Sequence, residues 1–147
     1  MEKIKIDLTQ SVGKGVKLNN LANLRGENVK WYGKTDFVGG FSKFDKPENS
    51  VRALVIDLKT KRSHGYNTVR KIITMFAPPT ENDTNVYMNY VSKKTLLGLD
   101  TPILDNHVFE IASAILKMET KTNLSTKQVQ EIYLQQERER LFGEKKK

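Results

Sequence analysis

The sequence predicts an α+β domain that is mostly α, with about five helices and a small irregular or β lobe near the N-terminus. The 147 residues are enough for one domain with a hydrophobic core. Hydrophobic residues make up 37% and charged residues 29%, which is typical of globular proteins. From residue 47 onward apolar side chains recur at helical spacing, whereas residues 18–46 are rich in glycine, asparagine and aromatic residues.

Three parts of the chain differ in composition. Residues 1–17 carry a weak alternation of isoleucine and leucine and then a Gly-Lys-Gly segment, which predicts a flexible N-terminal arm. Residues 18–142 are predicted to form the domain, in which the alternation over residues 38–44 favours a short hairpin. Residues 143–147 are predicted to be a basic tail.

Five helices follow from the apolar spacing and from residues that favour helix starts. A turn at residues 63–65 ends the first, and an Ala-Pro-Pro segment at 77–79 ends the second. The predicted starts are Pro47 in the first turn of the first helix, then caps at Thr68, at Asn82 or Asp83, at Asp105, and at Ser125 or Thr126.

The composition also excludes classes of site and location. The chain has no cysteine and two histidines that lack a metal-spaced partner, so neither a disulfide scaffold nor a thiolate or histidine metal site is expected. No cofactor is expected, and the chemistry is assigned to carboxylates. No apolar run is long enough to span a bilayer, and the first residues lack the apolar region of a signal peptide.

The formal net charge of +8 suits a polyanionic partner, either nucleic acid or an acidic bacterial envelope. Solvated helix faces and the lysines at 145–147 would account for the same excess. The sequence leaves both interpretations open.

Glu119 is the candidate catalytic residue. It continues the apolar stripe of the fourth helix, so its carboxyl group is predicted to lie at the inner edge of the helix end. Burial disfavours the charged form of a carboxyl group, and a general acid must be protonated to donate. Alternatively, Glu119 leans outward and pairs with Lys117 or Lys121.

Two other segments have two interpretations each. The polar loop 77–84 could hold Glu81, Asn82 and Thr84 toward a ligand, or could simply start the next helix. The aromatic residues between 31 and 44 could stack on sugar rings or on nucleic-acid bases, or could form the core of the small lobe.

Short segments in a fixed order resemble a phage structural-protein family. Its motifs read Asn-Pro-Gly-Asn-Ile-Arg, Trp-x-Gly, Gly-Phe-x-x-Phe, Arg-Ala-Leu and Ala-Pro-Pro-x-Glu-Asn-Asp-Thr, and the virion-associated lytic proteins of enveloped double-stranded RNA phages are similar to it. The resemblance covers roughly residues 19–120 and rests on residues 20–25, 31–33, 39–44, 51–58, 67–84, 87 and 91.

The resemblance implies a lysozyme-like or lytic-transglycosylase-like fold, with the helix that bears the glutamate late in the chain and hence a permuted element order. It implies a virion location, peptidoglycan glycan strands as substrate, and other virion proteins as partners. It makes Glu119 the catalytic residue. It places Glu81, Asn82, Thr84 and Tyr87 in the wall of the substrate cleft, with Asn23 and Arg25 on the facing lobe.

Two departures from the family pattern keep a second hypothesis open. Residues 20–23 read Asn-Leu-Ala-Asn instead of Asn-Pro-Gly-Asn, and residues 119–121 read Glu-Thr-Lys instead of Glu-Asn-Gly. The alternative is a non-catalytic virion protein that packs against other virion proteins or the genome. If the protein is an enzyme, the lack of a clear second carboxylate favours the transglycosylase route, with Glu81 and Asp36 as candidates otherwise.

Overall fold

The fold is α+β and mostly α, as predicted. A computed structural model describes residues 3–80 and 83–143. The elements in chain order are α1 (Lys14–Lys17), β1 (Lys34–Val38), β2 (Phe41–Phe44), α2 (Pro47–Ser63), α3 (Val69–Phe76), α4 (Thr84–Thr95), a 3₁₀ turn (Asp105–His107), α5 (Val108–Thr120) and α6 (Thr126–Phe142).

The predicted hairpin is confirmed. β1 and β2 pair antiparallel, with Val38 opposite Phe41. The two residues between them, Gly39 and Gly40, have φ of +58° and +89°, a backbone conformation that glycine adopts without steric cost.

The five predicted long helices are present, and three of the predicted caps are confirmed. Thr68 accepts a hydrogen bond from the Lys71 N–H at 3.2 Å, and Asp83 accepts one from Val86 at 3.2 Å. Ser125 and Gln128 cap each other's backbone N–H groups at the start of α6. These side chains satisfy N–H groups that the first helical turn leaves without partners.

The predicted cap at Asp105 is wrong. Asp105 begins the 3₁₀ turn, and α5 begins three residues later. The carboxylate of Asp105 pairs with Lys59 of α2 at 2.6 Å. The Nδ1 atom of His107 accepts the Leu104 N–H at 2.9 Å at the start of the 3₁₀ turn.

The hydrophobic core lies between α2 and α5. Val51, Leu54 and Leu58 of α2 and Ile111 and Ile115 of α5 are all fully buried. Helix α6 packs against both of these helices, and α3 and α4 pack against each other, with α4 also contacting α5. This arrangement brings the C-terminal end of α5 beside α4.

One large apolar residue of α4 lies outside the core. Val86 is 58% exposed, whereas Met88 is 5% exposed. The inward face of α4 is therefore rotated toward Tyr87, Met88 and Val91.

The segment predicted as an arm lies against the domain from residue 4 onward. Ile4 exchanges two backbone hydrogen bonds with the Gln135 side chain, and the Ile6 N–H donates to Glu48 at 2.7 Å. The Val12 N–H donates to the Thr120 carbonyl at 2.8 Å. The domain limits at residues 18 and 142 stay predictions.

The end of α4 offers a stability prediction. Leu96 has φ of +62° and its side chain is 89% exposed, so it makes little contact while its Cβ strains the backbone. Replacement of Leu96 by glycine should raise the free energy of unfolding by about 1 kcal/mol. Urea unfolding measures it, with Leu96→Ala as the control that keeps the Cβ. Equal unfolding midpoints for the two variants would contradict the explanation.

A polar layer joins α2 and α6 around Glu139. The carboxylate of Glu139 accepts hydrogen bonds from Lys46 at 2.7 Å and from the Tyr32 hydroxyl at 3.0 Å. Gln136, 2% exposed, donates to Asn49 of α2 at 2.8 Å. Burial acts to raise the pKa of Glu139, but the hydrogen bonds from Lys46 and Tyr32 outweigh it and lower the pKa below its usual value.

Glu139 therefore stabilises the fold above the pKa of an unfolded glutamate, and this stabilisation is lost as the pH falls through the lower folded pKa. Glu139→Gln should cost about 1 kcal/mol at neutral pH and less at about pH 3, where the carboxyl group begins to be protonated in the unfolded chain. Urea unfolding at both pH values measures the difference. Glu131→Gln, on an exposed site of α6, is the control. A cost that stays constant with pH would contradict the role of the charge.

Candidate functional site

Glu119 lies in the last turn of α5, and its carboxylate is partly buried. Asn23 donates from Nδ2 to Oε1 of Glu119 at 2.7 Å. The Tyr87 hydroxyl donates to Oε2 at 2.7 Å. Both oxygens are therefore held by neutral donors, one from the turn that precedes the hairpin and one from α4.

Tyr87 is a rigid donor. It is 5% exposed, and its ring packs edge-on against Phe76 at 6.5 Å between centroids. Burial raises the pKa of Tyr87 strongly, and the charge of Glu119 and the hydrogen bond to it raise the pKa further. The phenol therefore keeps its proton and donates to Glu119 over the whole physiological pH range.

Asn20 organises the turn that carries Asn23. Its fully buried side chain donates to the carbonyls of Leu24 and Ser42 at 2.8 and 2.7 Å and accepts the Leu24 N–H at 2.8 Å. These bonds replace backbone pairing inside an irregular segment, where a buried unpaired group would be costly. The turn is also tied to the end of α5, since the Thr120 hydroxyl donates to the Leu21 carbonyl at 2.8 Å.

Gly15 packs closely against the side chain of Asn23 and the backbone of Asn20. A Cβ at residue 15 would lie 2.2 Å from the Asn20 carbonyl oxygen and 2.3 Å from Oδ1 of Asn23. Asn23 itself has φ of +53°, which asparagine tolerates better than most residues. The close approach of Gly15 therefore fixes which way the Asn23 amide can lie.

A cleft of about 270 Å³ opens beside this cluster. One wall is the irregular lobe, with Asn23, Arg25 and Trp31, and the other wall comes from α2 and the end of α3. Trp31 also packs on the buried Phe44 at 6.2 Å, so the aromatic cluster contributes both to the core of the lobe and to the cleft. Asn23 links the two features, because it lines the cleft and binds Glu119.

Sequence reasoning missed the one carboxylate among the described residues that line this cleft, Asp57 of α2. Its Oδ2 atom accepts from Lys61, one turn further along the helix, at 2.7 Å. The signal was available, because Asp57 lies between the buried residues Val55 and Leu58. However, a charged residue next to an apolar stripe does not identify a cleft until the element that packs opposite it is known.

Of the other predicted site residues, Arg25 lies in this cleft and Thr84 lies elsewhere. Arg25 lines the cleft, stacks over the Phe41 ring at 4.7 Å and donates to the Gly40 carbonyl at 3.3 Å. Thr84 donates to the Ala77 carbonyl at 2.6 Å and lines a different hollow, between α3 and α4. Asp36 is exposed on β1, while Glu81 and Asn82 lie outside the described residues.

The alternative pairing of Glu119 with a lysine is not present. Lys117 donates to Asn123 at 2.8 Å, and no lysine of residues 3–80 and 83–143 lies within ion-pair distance of Glu119.

The two departures from the phage family pattern differ in backbone conformation: one residue has an ordinary φ and the other a positive φ. Ala22 is fully buried and does not have a positive φ, so this turn does not need the family's glycine there. Lys121 ends α5 with φ of +56°, the conformation that glycine would favour.

Within the described part of the chain, no group of three or more histidine, aspartate or glutamate residues is arranged to hold a metal ion. No described helix combines the length and the apolarity that crossing a bilayer requires.

No protein-family model matches the chain. Among curated proteins, it is 29% identical over 116 residues to Protein P5 of Pseudoalteromonas phage PM2. The aligned part is 75% of this chain and 72% of the phage protein. The chain is similar to a bacteriophage protein. This similarity supports a phage origin, and the name of the relative states no activity.

Proposed function

We propose that the protein is a phage virion-associated, peptidoglycan-degrading protein in which Glu119 is the proton donor. The observation that carries the proposal is the partly buried carboxylate of Glu119, held on both oxygens by Asn23 and Tyr87 beside a cleft. The resemblance to phage lytic proteins points to the same glutamate.

The two groups that donate hydrogen bonds to Glu119 are neutral. They are an amide and a phenol, so neither forms an ion pair with the carboxyl group. The two hydrogen bonds also fix the carboxyl in space, which a general acid needs in order to reach one oxygen of its substrate.

The cleft offers the features that a glycan strand requires. Trp31 and Phe76 present aromatic surface for sugar rings, while Asn23, Arg25 and Asp57 supply polar groups. Glu119 would protonate the glycosidic oxygen between N-acetylmuramic acid and N-acetylglucosamine as that bond breaks.

Two routes can complete the cleavage. In the transglycosylase route, the acetamido oxygen of the substrate attacks C1; its 6-hydroxyl then displaces that oxygen and gives its proton to Glu119, which leaves a 1,6-anhydro end. In the muramidase route, water attacks C1 and gives a proton to a second carboxylate, which leaves a reducing end. Asp57 lies in the cleft as a carboxylate for the second route, in place of Glu81 and Asp36.

Digestion of purified peptidoglycan tests the proposal. The protein should release soluble muropeptides, and mass spectrometry of their ends distinguishes anhydro from reducing products. A folded protein that releases nothing, with a known muramidase active on the same preparation, would defeat the proposal and favour a non-catalytic virion component.

A further inference from the structure

The ammonium group of Lys34, the first residue of β1, lies among three backbone carbonyl groups. It donates hydrogen bonds to the carbonyl oxygens of Gly26 at 2.6 Å, Val29 at 2.8 Å and Glu27 at 3.0 Å. An ammonium group has three protons, so these three acceptors can use all of its donors. The side chain of Lys34 therefore ties the turn of residues 26–29 to the start of the hairpin.

The turn that Lys34 binds is part of the cleft wall. Gly26, Val29 and Trp31 all line the cleft. The Gly26 carbonyl also accepts the Val29 N–H at 3.0 Å, so the ammonium group reinforces the backbone hydrogen bond of the turn. Hydrogen bonds from a charged donor are stronger than those between neutral groups. We therefore expect Lys34 to contribute strongly to the shape of this wall.

The same turn positions the side chain of Trp31. The edge of the indole ring packs against Gly26, where an added Cβ would lie 2.6 Å from the Cη2 atom of the ring. The ammonium group of Lys34 lies 5.9 Å from the centroid of that ring, a distance at which a cation and an aromatic ring attract each other. A shift of the turn would therefore displace the indole ring from its place in the wall.

We propose that Lys34 is a positioning residue for glycan binding, whose ammonium group holds the turn of residues 26–29 and Trp31 in the arrangement that binds the strand. The proposal rests on the proposed function, since it takes the cleft to be the glycan site. Lys34 is not among the described residues that line the cleft, so it acts on the glycan through Trp31 and the turn. A wall that is already ordered loses less conformational freedom when a ligand binds, and loosening it lowers the affinity.

Lys34→Met removes the ammonium group and keeps an apolar side chain. In Glu119→Gln protein, which should bind glycan without cutting it, Lys34→Met should weaken binding of a soluble peptidoglycan glycan fragment roughly tenfold or more. Trp31 is the one tryptophan of the chain, so its fluorescence reports on this wall, and acrylamide should quench it more strongly in the variant. Circular dichroism confirms that each protein is folded.

Lys30→Met is the matched control, because it removes the same charge from an exposed side chain close to the same turn. It should keep nearly the wild-type affinity and quenching. Equal losses of affinity in the two variants would overturn the positioning role in favour of an effect of charge alone. A Lys34→Met protein that binds glycan as tightly as its parent would overturn the role and leave the proposed function standing.

The chain has no cysteine, which allows a chemical rescue at this position. Alkylation of the Lys34→Cys variant with bromoethylamine restores a side chain of nearly the length of lysine together with its ammonium group, whereas a propyl group restores the length alone. The aminoethylated protein should recover most of the affinity, and the propylated protein should not. Equal recovery with both groups would overturn the role of the ammonium. A wild-type protein that neither binds glycan nor releases muropeptides would overturn the proposed function, and this role with it.

Discussion

Glu119→Gln is expected to lower the rate of muropeptide release roughly a thousandfold, the usual contribution of a general acid. The change should leave the fold intact, because the new amide oxygen can still accept from the Asn23 amide and the new NH₂ group can donate to the Tyr87 hydroxyl oxygen. The initial rate of release from purified peptidoglycan, at equal concentrations of folded protein, measures the loss.

The control for this change is Glu110→Gln in the first turn of the same helix. It removes the same charge from α5 far from Asn23 and Tyr87, and it should keep nearly the wild-type rate. Equal rates for wild type and Glu119→Gln would show that another group donates the proton. Equal losses in the two variants would show that the effect is one of charge alone.

Gly15→Ala is expected to lower the free energy of unfolding by about 3 kcal/mol. Gly15 is buried and does not have a positive φ, so alanine suits its backbone, yet the added Cβ would meet the Asn20 carbonyl oxygen at 2.2 Å. That oxygen belongs to the backbone of the turn, which the buried Asn20 side chain holds in place. Either the turn moves or α1 is displaced.

Urea unfolding measures the cost, with Lys14→Ala as control on the exposed side of α1. Lys14→Ala should change the free energy of unfolding by less than about 0.5 kcal/mol. Because Asn23 lies in the displaced turn, Gly15→Ala should also slow peptidoglycan cleavage under conditions where it is still folded. A Gly15→Ala protein as stable and active as wild type would refute the packing that we describe.

The parts of the fold that depend on neighbours in sequence could be predicted. Thr68, Asp83 and Ser125 cap helices through N–H groups three residues away, so the pattern alone identifies them. Asp105 looked equally suitable, but Lys59, 46 residues earlier in the chain, takes its carboxylate. A pairing of that separation has no signature in the local sequence.

For the candidate site too, only the features that depend on neighbours in sequence could be predicted. Glu119 follows from helical spacing, but its contact with Tyr87 spans 32 residues and that with Asn23 spans 96. Only the resemblance to a family brought those residues together before the structure was known. Asp57 and Gly15 escaped notice, because lining a cleft and approaching a turn closely depend on elements that are far apart in the chain.

The most direct test of the site is nuclear magnetic resonance mapping of glycan binding on the isotope-labelled Glu119→Gln protein, which should bind the strand without cutting it. Titration with a soluble peptidoglycan glycan fragment should give saturable shifts at residues 23–31 and 75–78, which line the cleft, and leave the exposed face of α6 unchanged. Saturable shifts that cluster on α6, or no saturable binding at millimolar glycan, would contradict the proposed site.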